Sequence, residues 1–459
     1  MKKIIILGAG QVGYSLAEAL SADGHEVTVI DRDRERLNML TADLEIKAVV
    51  GFGAHPPILE AAGAQDAAML IAVTDSDEVN MLACQVASTL FNVETRIARA
   101  RARDYHDHPE LFRRDAVPVD MLISPEELVT TQIQRLIEHP GALQVLDFAD
   151  GRVSLVAVRA HRGSPLVGRE LRSLRRLRSG GQMRVAAIFR RDRPLPPEGD
   201  TVIEADDEVF FVSAKRHIRS VTAELGQLER PYRRVIIAGG GNIGRRLAEI
   251  LSDRFRIKLV ESSPDRARML AAALPTDVLV LEGDGADDRF LEEIDVDHAD
   301  VLCAVTNDDQ SNIFAAMLAK RRGVRKVISL INRPSYVDLV QSGTIDIAVS
   351  PQMVTVAALL ARVREGGTTT VHTLRRGAAE AIETVVHGDA RTSQVVDRRI
   401  DELKLPEGTT IGAVVRGEEV LIPHHDTMIH ADDHVILFLA DRSRVSAVQR
   451  LFRPSALFF

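Results

Sequence analysis

Apolar positions along this chain follow two alternating rhythms. KIIILGAG (3–10) is a continuous apolar run ending in glycines, the pattern of a strand buried on both faces of a parallel sheet. QVGYSLAEALSADG then sets Val12, Leu16, Ala19 and Leu20 on one helical face, and Gly24 ends the helix. HEVTVID reads as a second strand. A charged helix over Arg32–Leu44, a short strand KAVVG, a helix PPILEAAGA, a strand AAMLIAVT, a helix DEVNMLACQVASTLF and a strand TRIARAR follow. Such alternation predicts a parallel sheet with right-handed crossovers. Further on the pattern changes. ALQVLDFADGRVSLVAVRA reads as strand, Asp-Gly turn, strand, and MRVAAIFRRDRPLPPEGDTVIEADDEVFFVSA as short strands between Pro, Gly and Asp turns. The expectation is a small α+β lobe that serves packing and dimerisation or binds a ligand.

The whole arrangement then recurs, as a duplicated unit would. IIILGAGQVG (4–13) matches VIIAGGGNIG (235–244), with Gly8, Gly10 and Gly13 in register with Gly239, Gly241 and Gly244. Asp31 after VTVI matches Glu261 after IKLV, and Gly51-Phe52-Gly53-Ala54 matches Gly283-Asp284-Gly285-Ala286. AVTDSDEVNMLA (72–83) matches AVTNDDQSNIFA (304–315), Tyr105 matches Tyr336, ISPEE matches VSPQM, and Asp206-Asp207-Glu208-Val209 matches Asp432-Asp433-His434-Val435. The expected fold class is α/β: two Rossmann-type doubly wound parallel sheets, each followed by a small α+β lobe. The expected segments are 1–122, 123–230, 231–350 and 351–459.

The glycines carry the chemistry. In a GxGxxG loop the first glycine makes the tight turn, the second admits a pyrophosphate to the backbone N–H groups, and the third lets helix pack on sheet. The helix N-terminus favours the anion. Gly8, Ala9, Gly10, Gln11, Val12 and Gly13, and in the second half Gly239, Gly240, Gly241, Asn242, Ile243 and Gly244, are therefore candidate phosphate contacts. Asp31 and Glu261 stand where a carboxylate bonds ribose hydroxyls. A carboxylate there favours NAD or an adenine nucleotide over NADP, with Arg32 beside Asp31 pulling the other way. Thr74 and Asp75, like Thr306 and Asn307, follow the fourth strand of their unit on the crevice rim. Arg99 ends the fifth strand and could pair with a phosphate, whereas Leu330 occupies the matching place. With Phe52 against Asp284, this makes the two sites chemically unequal.

Composition narrows the classes. The chain has 459 residues, a formal net charge of −8, 4% aromatics and no Trp, which argues against a nucleic-acid surface. Cys84 and Cys303 are too few for a disulfide framework or a four-sulfur metal site, and Cys84 reads as core. The apolar run after Met1-Lys2-Lys3 stops at Gly8, too short for a signal segment. No window reaches the length of a membrane span, so membrane association would go through a partner. Tyr105-His106-Asp107-His108 and His424-His425-Asp426 read as solvated loop and polar turn. The basic run 169–184 reads as a solvated helical face or a surface for an acidic partner, and Leu457-Phe458-Phe459 as an apolar tail that docks or frays.

These residues resemble the RCK domains that regulate potassium channels and transporters. IIILGAGQVG, GAHPPILEAAGAQDA, TDSDEVNMLACQVASTLFN, AIFRRDRP and IGAVVRGEEV are similar to the double-RCK regulatory subunits of bacterial Trk potassium uptake systems. The resemblance covers essentially the whole chain. It implies a cytoplasmic peripheral protein that binds NAD(H), with ATP or ADP as further candidates. It also implies a homotetramer beneath a potassium-translocating membrane subunit. Carried over by position, the first site is Gly8 to Gly13, Asp31, Thr74, Asp75 and Arg99; the second is Gly239 to Gly244, Glu261, Gly283 and Asp284. Phe52 departs from the Asp common in single-unit relatives. The competing classes are an NAD-dependent oxidoreductase, for which no Ser-Tyr-Lys or His-Asp constellation stands out, and a scaffold with vestigial sites.

Overall fold

The computed structural model describes residues 2–453 apart from 114, 165, 177–181, 192, 226–229, 342–344, 365–368, 375–378 and 442–443. The apolar tail 457–459 and the middle of the basic run lie outside the described residues.

The first strands and helices follow the predicted alternation: β1 (Lys3–Leu7), α1 (Gln11–Ala22), β2 (Glu26–Asp31), α2 (Arg34–Asp43), β3 (Lys47–Val50), α3 (Pro56–Ala61), β4 (Met69–Ala72), α4 (Asp77–Phe91), β5 (Thr95–Arg99), α5 (Arg103–His106), β6 (Met121–Ile123) and α6 (Pro125–Glu138). The sheet has six strands in the order β3-β2-β1-β4-β5-β6, all parallel. Ile4 to Leu7 and Met69 to Ala72 are all buried, which is why both runs lack polar alternation. Helix α1 buries Gly13, Leu16, Ala17 and Leu20. Val12 and Ala19 only flank that face, because Gly13 rather than a bulkier side chain meets the sheet. Three-residue β6 is too short to carry a periodicity of its own, so the hydrophobic pattern does not predict it.

A small lobe follows, with β7 (Ala142–Phe148), β8 (Val153–Arg159), β9 (Met183–Arg190), β10 (Arg193–Leu195), β11 (Glu208–Ala214) and α7 (Ile218–Leu225), forming an antiparallel sheet in the order β10-β9-β11-β8-β7. The Asp-Gly turn between β7 and β8 holds Ala149, Asp150 and Gly151 at positive φ. The described residues of the basic run do not form one helical face. Leu171–Arg176 is a short 3-10 turn and Arg184 already belongs to β9.

The second half repeats both parts. Its parallel sheet holds β12 (Arg234–Ala238), α8 (Asn242–Leu251), β13 (Arg256–Glu261), α9 (Pro264–Ala273), β14 (Val278–Glu282), α10 (Asp288–Glu293), β15 (Val301–Ala304), α11 (Asp309–Arg321), β16 (Lys326–Leu330), α12 (Pro334–Gln341), β17 (Ile347–Val349) and α13 (Pro351–Arg364), with strand order β14-β13-β12-β15-β16-β17. Its lobe holds β18 (Thr369–Leu374), β19 (Ala379–Val385), β20 (Arg398–Arg399), β21 (Thr409–Arg416), β22 (Glu419–Leu421), β23 (Met428–Ile429), β24 (His434–Leu439) and α14 (Val445–Phe452). The main sheet there has the order β18-β19-β24-β21-β22.

Like parts cluster with like. Residues 1–131 and 235–360 form one compact unit, and 132–234 with 361–459 the other. In the second unit Phe148, Phe189 and Phe210 share a core with Ala381, Ala413, Ile436 and Phe438, so the two lobes bury apolar surface against each other. Each lobe also carries one buried carboxylate clamp: Asp207 accepts Arg190 Nε (2.9 Å) and Glu204 N (2.8 Å), and Asp433 accepts Arg416 Nε (2.9 Å) and His430 N (2.8 Å).

Candidate nucleotide sites

At the C-terminal edge of the first parallel sheet the chain brings the predicted residues together. Gly8, Ala9 and Gly10 join β1 to α1, whose first turn is Gln11, Val12 and Gly13. Gly8 turns at φ +110°, a left-handed value that suits glycine. A Cβ on Gly13 would lie 1.9 Å from the Gly8 carbonyl oxygen, so loop and helix touch backbone to backbone. Nothing lies within 4 Å of the corresponding position on Gly10, which caps α1 without a side-chain partner. The open ground over that glycine is where a phosphate could approach the N–H groups.

Asp31 ends β2 and holds the loop in place. Its Oδ2 accepts the Ala9 N–H at 2.6 Å and its Oδ1 the Asp33 N–H at 2.8 Å. Each oxygen keeps a further lone pair, enough to accept from a ribose diol. Thr74 and Asp75 lie in the loop after β4, and Thr74 N is 3.2 Å from a Cβ built on Gly8, so rim and loop meet. Asp75 faces Arg32 across 3.9 Å, both exposed. Arg99 is buried, donates through Nη2 to the Thr74 carbonyl, and has no partner for its Nε. Burial, then the neighbouring Arg101 charge, pulls its guanidinium down to about 10, still cationic at neutral pH. A buried cation with an unspent donor is costly to keep and gains from an anion.

Asn80 was visible in the repeated segment but its role was not. It is fully buried. Its Oδ1 accepts Thr74 N (2.9 Å) and Thr74 Oγ1 (2.7 Å), and its Nδ2 donates to Thr74 O (3.3 Å) and Arg99 O (2.9 Å). It therefore ties the ends of β4 and β5. One turn earlier Asp77 accepts Arg101 N and Ala102 N at 2.8 and 2.9 Å.

The second crevice repeats this frame with changed chemistry. Gly239 has φ +114°, and a Cβ on Gly244 would lie 1.8 Å from Gly239 O. Asn312 binds Thr306 N (2.8 Å) and Leu330 O (3.0 Å) as Asn80 binds its partners, and Asp309 accepts Asn332 N and Arg333 N. Glu261 is buried, accepts Gly240 N at 3.1 Å and Ser263 N at 2.9 Å, and pairs with Arg266 Nη2 at 3.2 Å. The longer Glu explains Gly240 where the first half has Ala9, since a Cβ on Gly240 would meet Glu261 Oε2 at 2.9 Å and Leu270 at 2.4 Å. Gly283 and Asp284 follow β14; exposed Asp284 accepts Ala286 N at 2.9 Å. Phe52, its counterpart, is exposed and stacks on His55 at 5.4 Å. Leu330 is buried where Arg99 stands in the first half.

The glycine-loop helices of the two halves also meet the opposite half. Gln352 Nε2, in α13, donates to Gln11 O (3.0 Å) and Ser15 Oγ (2.8 Å) of α1. Reciprocally, Arg246 of α8 bonds Glu127 of α6 at 2.7 Å, and Glu249 accepts Arg103 Nη1 at 2.9 Å. His106 is not a free loop residue. It ends α5 with Nε2 2.9 Å from Ala100 O and lies 3.8 Å from Glu127. His425-Asp426 is a turn, as expected. Cys84 and Cys303 are buried core, and burial pushes the Cys84 thiol up to about 12 and Cys303 upward too. Among the described residues no group of three His, Cys, Asp or Glu could hold a metal, and no helix is long and apolar enough to cross a membrane.

Two family models match this chain. The TrkA-N domain matches residues 4–125 and 235–351, and the TrkA-C domain residues 155–226 and 390–453. The Trk system potassium uptake protein TrkA of Halomonas elongata is 56% identical over 457 residues, covering 100% of both chains. That of Vibrio alginolyticus is 55% identical over 99% of this chain and 100% of its own. Among solved structures, the GsuK RCK domain matches with a TM-score of 0.61 at 19% identity, over 98% of this chain and 95% of that one. The GsuK channel bound to NAD matches with a TM-score of 0.62 at 19% identity, over 98% and 79%. At that identity the likeness to solved structures concerns the fold.

Proposed function

Because this chain belongs to the TrkA family of Trk-system potassium uptake proteins, with its paired TrkA-N and TrkA-C domains, we propose that it is the nucleotide-sensing regulatory subunit of such a system. It works at the cytoplasmic face of the cell membrane, held there by a potassium-translocating membrane subunit, and assembles as a homotetramer. Each of the segments 1–122 and 231–350 binds NAD(H) or an adenine nucleotide, and 123–230 and 351–459 form the lobes that respond. It regulates and does not catalyse.

The observation that carries this reading is the twice-built crevice. In both halves a glycine loop is held by a carboxylate from the end of the second strand, with open ground above Gly10 in the first half and Arg266 Nη2 3.9 Å from a Cβ built on Gly241 in the second. In the first half, buried Arg99 with its unpartnered Nε completes the set. Ribose hydroxyls go to Asp31 and Glu261, and phosphates to the N–H groups of Gly8 to Gly13 and Gly239 to Gly244. Thr74, Asp75 and Arg99, with Gly283 and Asp284 opposite, line the rims. NAD(H), ATP and ADP all present these two chemical handles. A ligand shifts the lobes only as far as its affinity differs between their two arrangements.

The test is potassium flux into vesicles carrying the membrane subunit, with and without this chain, at stepped NADH, NAD, ATP and ADP. The expected outcome is a nucleotide response that requires this chain. An identical response in its absence contradicts the proposal.

A further inference from the structure

The two small lobes meet over a shared apolar core, and at matched positions the second lobe brings ionisable side chains to it where the first brings apolar ones. Strand register fixes the correspondence. In the first lobe Phe210 pairs with Ala157, and two residues back along β8 Leu155 pairs with Leu146. In the second lobe Ile436 pairs with Glu383, and two residues back along β19 Ala381 pairs with His372. Phe210, Ala157, Leu155, Ile436 and Ala381 all belong to the shared core. Glu383 and His372 therefore stand on its face, as Ala157 and Leu146 do, while Ile382 alternates onto the other side of β19 together with Glu380. Both reach the opposite lobe. Glu383 Oε2 accepts the Ala149 N–H at 3.0 Å, from the turn between β7 and β8, and its Oε1 lies 2.8 Å from Nδ1 of His434 on β24. His372 sets its ring edge-on against Phe148, 5.0 Å between centroids. Two further polar contacts cross this seam: Arg152 Nη1 donates to Gly417 O, and Arg184 Nη1 to Pro423 O at 2.6 Å. A guanidinium on a carbonyl does not change its charge near neutral pH.

From this cluster we propose that the seam between the small lobes is a proton-sensitive joint with His372 as its sensor, so that acidification loosens the packing of one lobe on the other without unfolding either. A neutral imidazole lies against Phe148 at little cost, whereas an imidazolium there gives up hydration. Two charges face the ring. Glu383 on β19 favours the cation, but its oxygens are already engaged by Ala149 N and His434. Arg135 on α6, 3.4 Å from Asp147, disfavours it. Burial is the largest influence and holds the imidazole below the usual histidine range. When the lobes part, the ring regains water and takes up a proton more readily. The parted lobes then bind more protons than the packed ones. Packing is at full strength above the ordinary histidine value near 6.5 and weakens progressively below it. The pair of His434 and Glu383 lies within the second lobe and persists whether the seam is open or closed. The joint does not depend on nucleotide binding; it gives the lobes a second input, the proton.

Hydrogen exchange by mass spectrometry on the full-length protein at pH 7.5 and 5.5 reads the opening, with labelling times scaled for the intrinsic pH dependence of amide exchange. Peptides covering 147–153 carry the Ala149 amide, which opening frees from Glu383. Peptides covering 208–214 and 434–439 report unfolding of the first and second lobe themselves. A base protonated only in the open form shifts opening by up to about tenfold one pH unit below its ordinary value. The native chain is therefore expected to lose about three- to tenfold of its protection over 147–153 at pH 5.5, while 208–214 and 434–439 hold within about twofold. His372→Leu, which installs the residue type that the first lobe has at Leu146, is expected to reduce the loss to under about twofold, and His434→Gln to leave it in place. Unchanged protection over 147–153 in the native chain overturns the proposal without any variant. A loss shared equally by 208–214 or 434–439 overturns it as well, being unfolding of a lobe. So does a loss that survives His372→Leu, or one that His434→Gln abolishes, which assigns the response to the Glu383–His434 pair.

Discussion

Asn80→Ala removes a side chain that is fully buried and spends all its hydrogen-bonding capacity on the β4 and β5 ends. The substitution strands the Thr74 N–H and the Arg99 carbonyl. Each orphaned buried group costs roughly 1–3 kcal/mol, with Thr74 at the low end because it is half-exposed. The vacated amide leaves a polar hole that a water can partly serve. The local cost is then about 2–4 kcal/mol, equivalent to exchange roughly 30- to 1000-fold faster at the protected amides. A single global unfolding energy is ill-defined for a chain of several domains. The assay is therefore hydrogen exchange by mass spectrometry on peptides covering 69–99, with peptides covering 301–330 as the internal reference. Asn312→Ala must give the mirror image. Unchanged exchange over 69–99, or equal loss in both halves, would refute the claim that this asparagine clamps its own sheet edge.

Arg99→Leu installs the residue that the second half uses. The urea midpoint is expected to hold or rise, since a buried cation is exchanged for apolar volume, while affinity for ADP at the first site falls by at least about tenfold. Burial lowers the pKa of His372, which packs edge-on against Phe148 at 5.0 Å; the Glu383 charge opposes the shift and Arg135 reinforces it. A base whose folded pKa is depressed binds fewer protons folded than unfolded, so its contribution falls as pH drops through and below its ordinary value near 6.5. Urea unfolding of the small-lobe unit is expected to weaken between pH 7.5 and 5.5, and His372→Phe to flatten that slope by about 1 kcal/mol or less. Across the two halves, Glu127→Arg and Arg246→Glu each cost about 0.5–1 kcal/mol, and the double swap restores most of it in a double-mutant cycle.

The sequence carried the frame of the molecule because the frame has strong local signals. Continuous apolar runs at Ile4–Leu7 and Met69–Ala72 announce doubly covered strands, and the glycines in register locate both loops. The chemistry between elements was less legible. That Asp31 holds Ala9 N and Glu261 holds Gly240 N depends on loop geometry that spacing alone does not give. Arg36 and Arg266 occupy equivalent positions and look alike in the sequence. In space Arg36 pairs with Asp33 at 3.2 Å and Arg266 with Glu261 at 3.2 Å, a choice that spacing along the chain does not reveal. Asn80 and Asn312 stood in a repeated motif, a signal that they mattered, but not that they bridge two strand ends. The lobes' strand orders and their shared core also lay beyond periodicity, because which antiparallel strands pair is settled by long-range packing.

Calorimetric titration of the purified protein with NADH, NAD and ATP, beside Asp31→Ala and Glu261→Ala, addresses the duplicated sensor most directly. The account predicts nucleotide binding by the native chain and loss of one class of sites in each variant. No binding at millimolar nucleotide, or binding that neither variant disturbs, would contradict it.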